Sequence, residues 1–287
     1  MAFLYIFILT PILHIAFTKI HVIDLTYNFD NDTTVYWPST RKNDRFKLIP
    51  KVSNGIYEIN SIAASEHGGT HIDAPRHFAP GKHGVNEIPM ERLVGQLFLV
   101  NVSVEAKLDR DLLITQTHIE AAEQAQKRTV DDHIVLFYTG WSKRWPNLNQ
   151  FLGTNTTNDS LLHFPGLHPN AATWLTTNRK IKSIGIDTAS IDNGPSSSFE
   201  SHKILYKHNI PGFEAVNLNE VHRFKDVDKV MIYALPMKIK DGSGAPLRIV
   251  ASFDDEDEIK KPCSSSAYTD VNFVILYLCL FVLYYLH

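Results

Sequence analysis

Three histidines and a carboxylate fall within eleven residues of this chain, in the stretch His67-Gly-Gly-Thr-His71-Ile-Asp73-Ala-Pro75-Arg-His77. Imidazole nitrogens and carboxylate oxygens together form the donor set that suits zinc, manganese or iron. The four side chains are separated by even steps, so a mostly extended segment would turn them to one side. Gly68 and Gly69 let the backbone approach an ion or substrate closely, and each disfavours a helix by about 1 kcal/mol. Pro75 ends any regular strand. With 14 histidines in the chain, a single one carries little information; their order beside Asp73 is what reads as a metal-binding and catalytic loop. A dication held there would lower the pKa of water from about 15.7 to about 7 and polarise a carbonyl. That is the chemistry of hydrolysis.

The block is similar to the H-x-G-T-H-x-D-x-P-x-H signature of the cyclase-type amidohydrolases, the family containing bacterial kynurenine formamidase and isatin hydrolase. Every fixed position of the signature is filled. The resemblance runs from about Ile23 to Ala251 and includes Phe164–Pro169, Ser183–Asp192, Ala234–Lys240 and Gly244–Arg248, blocks that look like the animal branch. It implies that His67, His71 and Asp73 ligate one divalent metal. It further implies that His202 and Glu214, with Asp73 bridging, hold a second. Zn2+ or Mn2+, as one or two ions, is the implied cofactor. Read alone, His202 is an exposed helix residue and Glu214 a surface acid. His77 matches the family's catalytic histidine, taking a proton from water and passing it to the leaving nitrogen. Thr70 and Glu66 are expected to support the ligands, and Trp37 to wall the substrate pocket. The implied activity is cleavage of a C–N amide bond in a small aromatic substrate, with N-formylkynurenine first. Opening of an isatin-like lactam, or a membrane-displayed binding protein without catalysis, are the alternatives. A homodimer or homotetramer is expected.

The elements that must position these groups alternate strand and helix. Strands are predicted at His21–Thr26, Gln96–Val104, Ile134–Tyr138, Ser183–Asp187 and Lys229–Leu235, all rich in β-formers. Thr117-His-Ile-Glu120 has the form of a capping box opening a helix to about Lys127. Pro169 opens a second helix, and a third is expected over Phe199–Lys207, stopped by Asn209 and Pro211. Residues 147–163 read as an Asn- and Thr-rich loop, with His163 and His168 in turn packing. This alternation predicts a single α/β domain; the resemblance implies the swivelling β/β/α fold.

At 287 residues with 44% hydrophobic and 21% charged content, the chain is long enough for a sizeable core. Its net charge of −3 and the lack of a dense basic patch argue against nucleic acid as a partner. Cys263 and Cys279 are the two cysteines, so no disulfide framework and no cysteine nucleophile near the signature are expected. Residues 1–18 form an apolar run without acids, expected as a signal peptide. The hydrolase domain would occupy 19–253, followed by an acidic and Ser-rich linker over 254–270. The apolar tail at 271–287 would be a GPI signal or membrane anchor. Sequons at Asn31, Asn101, Asn155 and Asn158 fit a secretory, cell-surface or extracellular destination.

Overall fold

The computed structural model describes residues 19–255, apart from 42, 44 and 54. The expected signal peptide, the apolar tail and all but the first residues of the linker lie outside the described residues. Among the described residues no helix is long and apolar enough to cross a membrane. Val22–Phe253 make up one compact unit.

The strands are β1 (Lys19–Asp24), β2 (Lys47–Ser53), β3 (Glu58–Ala63), β4 (His71–Asp73), β5 (Val94–Asn101), β6 (Leu113–Ile114), β7 (Ile134–Tyr138), β8 (Gly166–Leu167), β9 (Ser183–Ile186), β10 (Gly212–Glu214), β11 (Met231–Pro236) and β12 (Gly244–Asp255). The α-helices are α1 (Ser103–Leu108), α2 (Gln116–Gln126), α3 (Leu148–Phe151), α4 (Pro169–Asn178) and α5 (Glu200–Lys207). The main sheet runs β1-β12-β11-β5-β7-β9-β10-β4, and β4 also pairs with β12, which closes the sheet into a barrel-like ring. Its centre is parallel, β5 beside β7, β7 beside β9 and β9 beside β10. β10 with β4, β11 with both β12 and β5, and β12 with β4 pair antiparallel.

Two-residue periodicity divides the apolar side chains between two cores. In β7, Ile134, Leu136 and Tyr138 point into the sheet's enclosed side, with Leu97, Phe213, Ile232 and Ile249. Val135 and Phe137 point the other way, where they meet Ile119 of α2, Ala172 and Leu175 of α4, and Leu205 of α5. A strand buried on both faces reads as an unbroken hydrophobic run, and all five residues of β7 are buried. Enclosed sheet side and helical side together form the single α/β domain.

Several expected boundaries move. The strand foreseen over 96–104 ends at Asn101, whose side-chain oxygen accepts the amide and hydroxyl of Ser103 and turns the chain into α1. Helix α2 is capped by Thr115 and His118, His118 Nδ1 accepting the Thr115 amide at 2.9 Å, while Glu120 accepts from the Gln116 side chain. The β2–β3 hairpin was not foreseen, and residues 147–163 contain α3 with Phe151 and Leu152 buried. Phe199 precedes α5 in the left-handed region, at φ 52°.

Candidate metal centre

The signature is not extended throughout. His71 and Asp73 lie in β4, where their two-residue separation turns both to one face and Ile72 into the core. His67 precedes Gly69, whose φ of +59° bends the chain, and His77 lies in a 3-10 turn over Pro75–His77. The four side chains therefore converge through a turn, a short strand and a second turn rather than along one strand. Pairing of β4 with β10 sets His71 opposite Glu214. Helix α5 contributes His202.

Two groups of donors result, His67, His71 and Asp73 on one side, and Asp73, His202 and Glu214 on the other. Asp73 belongs to both. Its Oδ1 lies 2.7 Å from His67 Nδ1 and 3.2 Å from His71 Nε2, and its Oδ2 lies 3.5 Å from His202 Nε2. Glu214 Oε1 is 2.8 Å from His202 Nε2, and Oε2 is 3.4 Å from His71 Nε2. His202 and Glu214 are 2% and 5% exposed, which corrects the reading of them as an exposed helix residue and a surface acid. A turn of α5 and the β4–β10 register bury them, and neither is visible in a local sequence window.

The rings are held from behind. His71 Nδ1 donates to the Gly69 carbonyl at 3.0 Å, and His202 Nδ1 donates to Asp192 at 2.5 Å. Each bond occupies Nδ1 and turns Nε2 toward the carboxylates, so that Nε2 is the nitrogen that would give its lone pair to a metal in place of a proton. Asp192 also accepts the amides of Ser201 and His202, fixing it at the start of α5. Tyr206, one turn beyond His202, donates its hydroxyl to Asp73 Oδ2 at 2.9 Å. Sequence reasoning missed Tyr206 and the part played by Asp192; the i, i+4 spacing from His202 was the available signal for the former.

Buried carboxylates facing imidazoles demand positive charge. Burial opposes protonation of His71, but the hydrogen bond and charge of Asp73, with Glu214, push its pKa up to about 9. His202 is raised in the same way, burial being outweighed by hydrogen bonds to Asp192, Asp73 and Glu214. Burial alone would push Asp73 up, yet the imidazoles of His77 and His67 and the bonds from His202 and His67 bring it well down. A divalent cation would supply that charge in place of the imidazole protons, so the donor set fits a metal.

His77 differs from these three histidines. Its ring stacks on His67 at 3.9 Å and 22°, and its Nε2 is 4.0 Å from Asp73 Oδ2. Its side chain makes no hydrogen bond among the described residues. Burial pushes its pKa below the usual imidazole value, partly offset by Asp73, so the ring is neutral near pH 7. It faces a cavity of about 280 Å3 whose other walls include Trp37, Phe78, Trp145, Phe151 and Phe199. Trp37 thus lines this cavity, 5.8 Å from Phe199. Thr70 ties the site's backbone together instead, donating to the Ala215 carbonyl and accepting from the Tyr27 amide. His168 caps α4 by accepting the Asn170 amide, and His163 pairs with Asp111.

Fold and centre define the class, an α/β protein with a histidine–carboxylate cluster that could hold a metal under an aromatic cavity. Residues 23–193 match the Cyclase family, and the chain belongs to it. It is 27% identical over 249 residues to isatin hydrolase of Roseibium aggregatum, covering 81% of this chain and 92% of that one. It is 28% identical over 228 residues to kynurenine formamidase of Bacillus cereus, covering 79% of this chain and 95% of the relative. The solved structure of isatin hydrolase A from Ralstonia solanacearum matches with a TM-score of 0.72 and 29% identity, over 82% of this chain and 92% of that one.

Proposed function

We propose that this chain is a metal-dependent amidohydrolase that cleaves the C–N amide bond of a small aromatic substrate, as a kynurenine formamidase converts N-formylkynurenine to kynurenine and formate. The observation that carries this reading is Asp73 shared between two donor groups on the floor of an aromatic-walled cavity. His67, His71 and Asp73 would hold one ion, and Asp73, His202 and Glu214 a second, as Zn2+ or Mn2+. Bound there, a dication lowers the pKa of water and polarises the scissile carbonyl. The aromatic walls, Trp37 and Phe199 among them, stack the substrate ring and keep bulk water from the reacting bond. His77 takes the proton released from the attacking water at a ring nitrogen and delivers it to the departing amine nitrogen. Water's oxygen becomes part of the acid product as the C–N bond breaks. A lactam such as isatin is the second reading, favoured by the similarity to isatin hydrolases. Parallel assays of N-formylkynurenine, isatin and a simple formanilide, with bound metal measured on the same preparation, test the proposal. Full metal loading with none of the three hydrolysed would favour a binding protein.

We also propose that the protein follows the secretory pathway, is held at a membrane with residues 271–287 serving as a GPI signal or a membrane anchor, and assembles as a homodimer or homotetramer. Exposure of Asn31, Asn101, Asn155 and Asn158 supports glycan attachment. An endoglycosidase mobility shift, release by a phosphatidylinositol-specific phospholipase, and light scattering check these three points in turn.

A further inference from the structure

The outer ring nitrogens of His71 and His202 are braced directly, one by a carbonyl and one by a carboxylate, whereas the outer nitrogen of His67, Nε2, reaches a carboxylate only through Ser243. His67 Nε2 lies 2.9 Å from Ser243 Oγ, and Ser243 Oγ donates to Glu66 Oε2 at 2.6 Å. The same Glu66 oxygen accepts the amides of Ser243 at 3.0 Å and Gly244 at 3.3 Å. An ionised carboxylate accepts and never donates. Ser243 therefore spends its one hydroxyl proton on Glu66 and must accept from His67 Nε2–H. That commits Nε2 to the serine and leaves Nδ1, 2.7 Å from Asp73 Oδ1, as the nitrogen turned to the metal centre.

We infer that Ser243 and Glu66 form a positioning relay that holds His67 ready to ligate through Nδ1. This rests on the metal-centre reading above. The loop carrying Ser243 is built for close approach to the ring: a Cβ on Gly244 would lie 2.5 Å from His67 Cε1 and 2.8 Å from the Ile72 carbonyl. The Ser243 carbonyl also accepts the Ala74 amide at 2.9 Å, which anchors the loop to the end of β4 by backbone alone. Replacing the Ser243 hydroxyl leaves that anchor and both amide bonds to Glu66 in place. The relay is thereby separable from the loop.

The experiment titrates Zn2+ into the full chain against a chromophoric chelator, for wild type, Ser243→Ala and Ser243→Thr. It also records Co2+ visible absorption and chelated-state thermal melting. Loss of an orienting partner weakens metal binding by about 10–100-fold, which is the loss expected for Ser243→Ala. The Co2+ bands should shift, the chelated-state melting should not change, and Ser243→Thr should restore affinity. Affinity of Ser243→Ala within twofold of wild type overturns the relay. So does a loss matched by lower melting in the chelated state and not restored by threonine. Failure of wild type itself to bind Zn2+ or Co2+ would instead sink the metal-centre reading, and the relay with it.

Discussion

The two carboxylate oxygens of Asp73 serve different partners, Oδ1 facing His67 and His71 and Oδ2 facing His202 and the Tyr206 hydroxyl. An Asp73→Asn substitution keeps the shape but removes the shared charge and turns one acceptor into a donor. Metal content should then fall from both donor groups together, not from one; retention of full stoichiometry on elemental analysis would remove Asp73 as a bridge. His77 stands apart because nothing braces its far nitrogen and its ring faces the cavity. His77→Ala should keep its metal and lose about 10²–10⁴-fold in kcat, and a turnover within a factor of a few of wild type would falsify the proton-transfer role. The signature made His67, His71, Asp73 and His77 legible as a group, because chemistry and spacing lie in one window. Tyr206, Asp192 and Ser243 were not legible as parts of the site. Their hydrogen bonds depend on a helix turn and on a loop 176 residues from His67.

At the scale of elements, the buried strand β7, Ile-Val-Leu-Phe-Tyr, was readable because parallel pairing in an enclosed sheet demands a continuous apolar run. The β2–β3 hairpin was not, since Leu48, Ile49, Ile59 and Ile62 remain exposed and its strands lack a clean apolar face. Asp187 shows a similar limit: it reads as a polar residue at a strand exit. In the fold it is fully buried, accepting the amides and hydroxyls of both Thr139 and Ser142 to bind the turn after β7 to β9. Helices α2 and α4 are joined near their ends by Glu123 and Arg179, whose two parallel hydrogen bonds are both 2.8 Å. Burial works against the Glu123 carboxylate, but the Arg179 bonds and the Val130 amide hold its pKa below the usual value. A depressed pKa contributes stability that is present above the unfolded value and lost as pH falls through the folded one. Glu123→Gln should therefore cost about 1 kcal/mol at pH 7. The gap from wild type should close in acid, below both pKa values. Denaturant melts at neutral and acid pH measure this, and a pH-independent gap would mean packing, not charge, makes the link.

For the whole molecule, β4 is the strand that completes the ring, pairing with β10 on one side and β12 on the other, and it is also the strand that carries His71 and Asp73. A metal bound there would join groups from the signature segment, α5 and β10, so its binding free energy would act on the global folding equilibrium. A ligand specific for the native state stabilises by about 2.7 kcal/mol at a hundred times its Kd. For a domain of this size, about 1 kcal/mol moves Tm by roughly 2–4 °C. Adding Zn2+ or Mn2+ to chelator-stripped protein at a hundredfold excess over Kd should then raise Tm by about 5–10 °C, as read by calorimetry. Asp73→Asn, lacking the shared ligand, should show little of that rise, whereas His77→Ala should show nearly all of it. An equal rise in wild type and Asp73→Asn would place the stabilising ion somewhere other than this centre. A rise that vanished in His77→Ala would make His77 a ligand and move the proton-transfer step to another group.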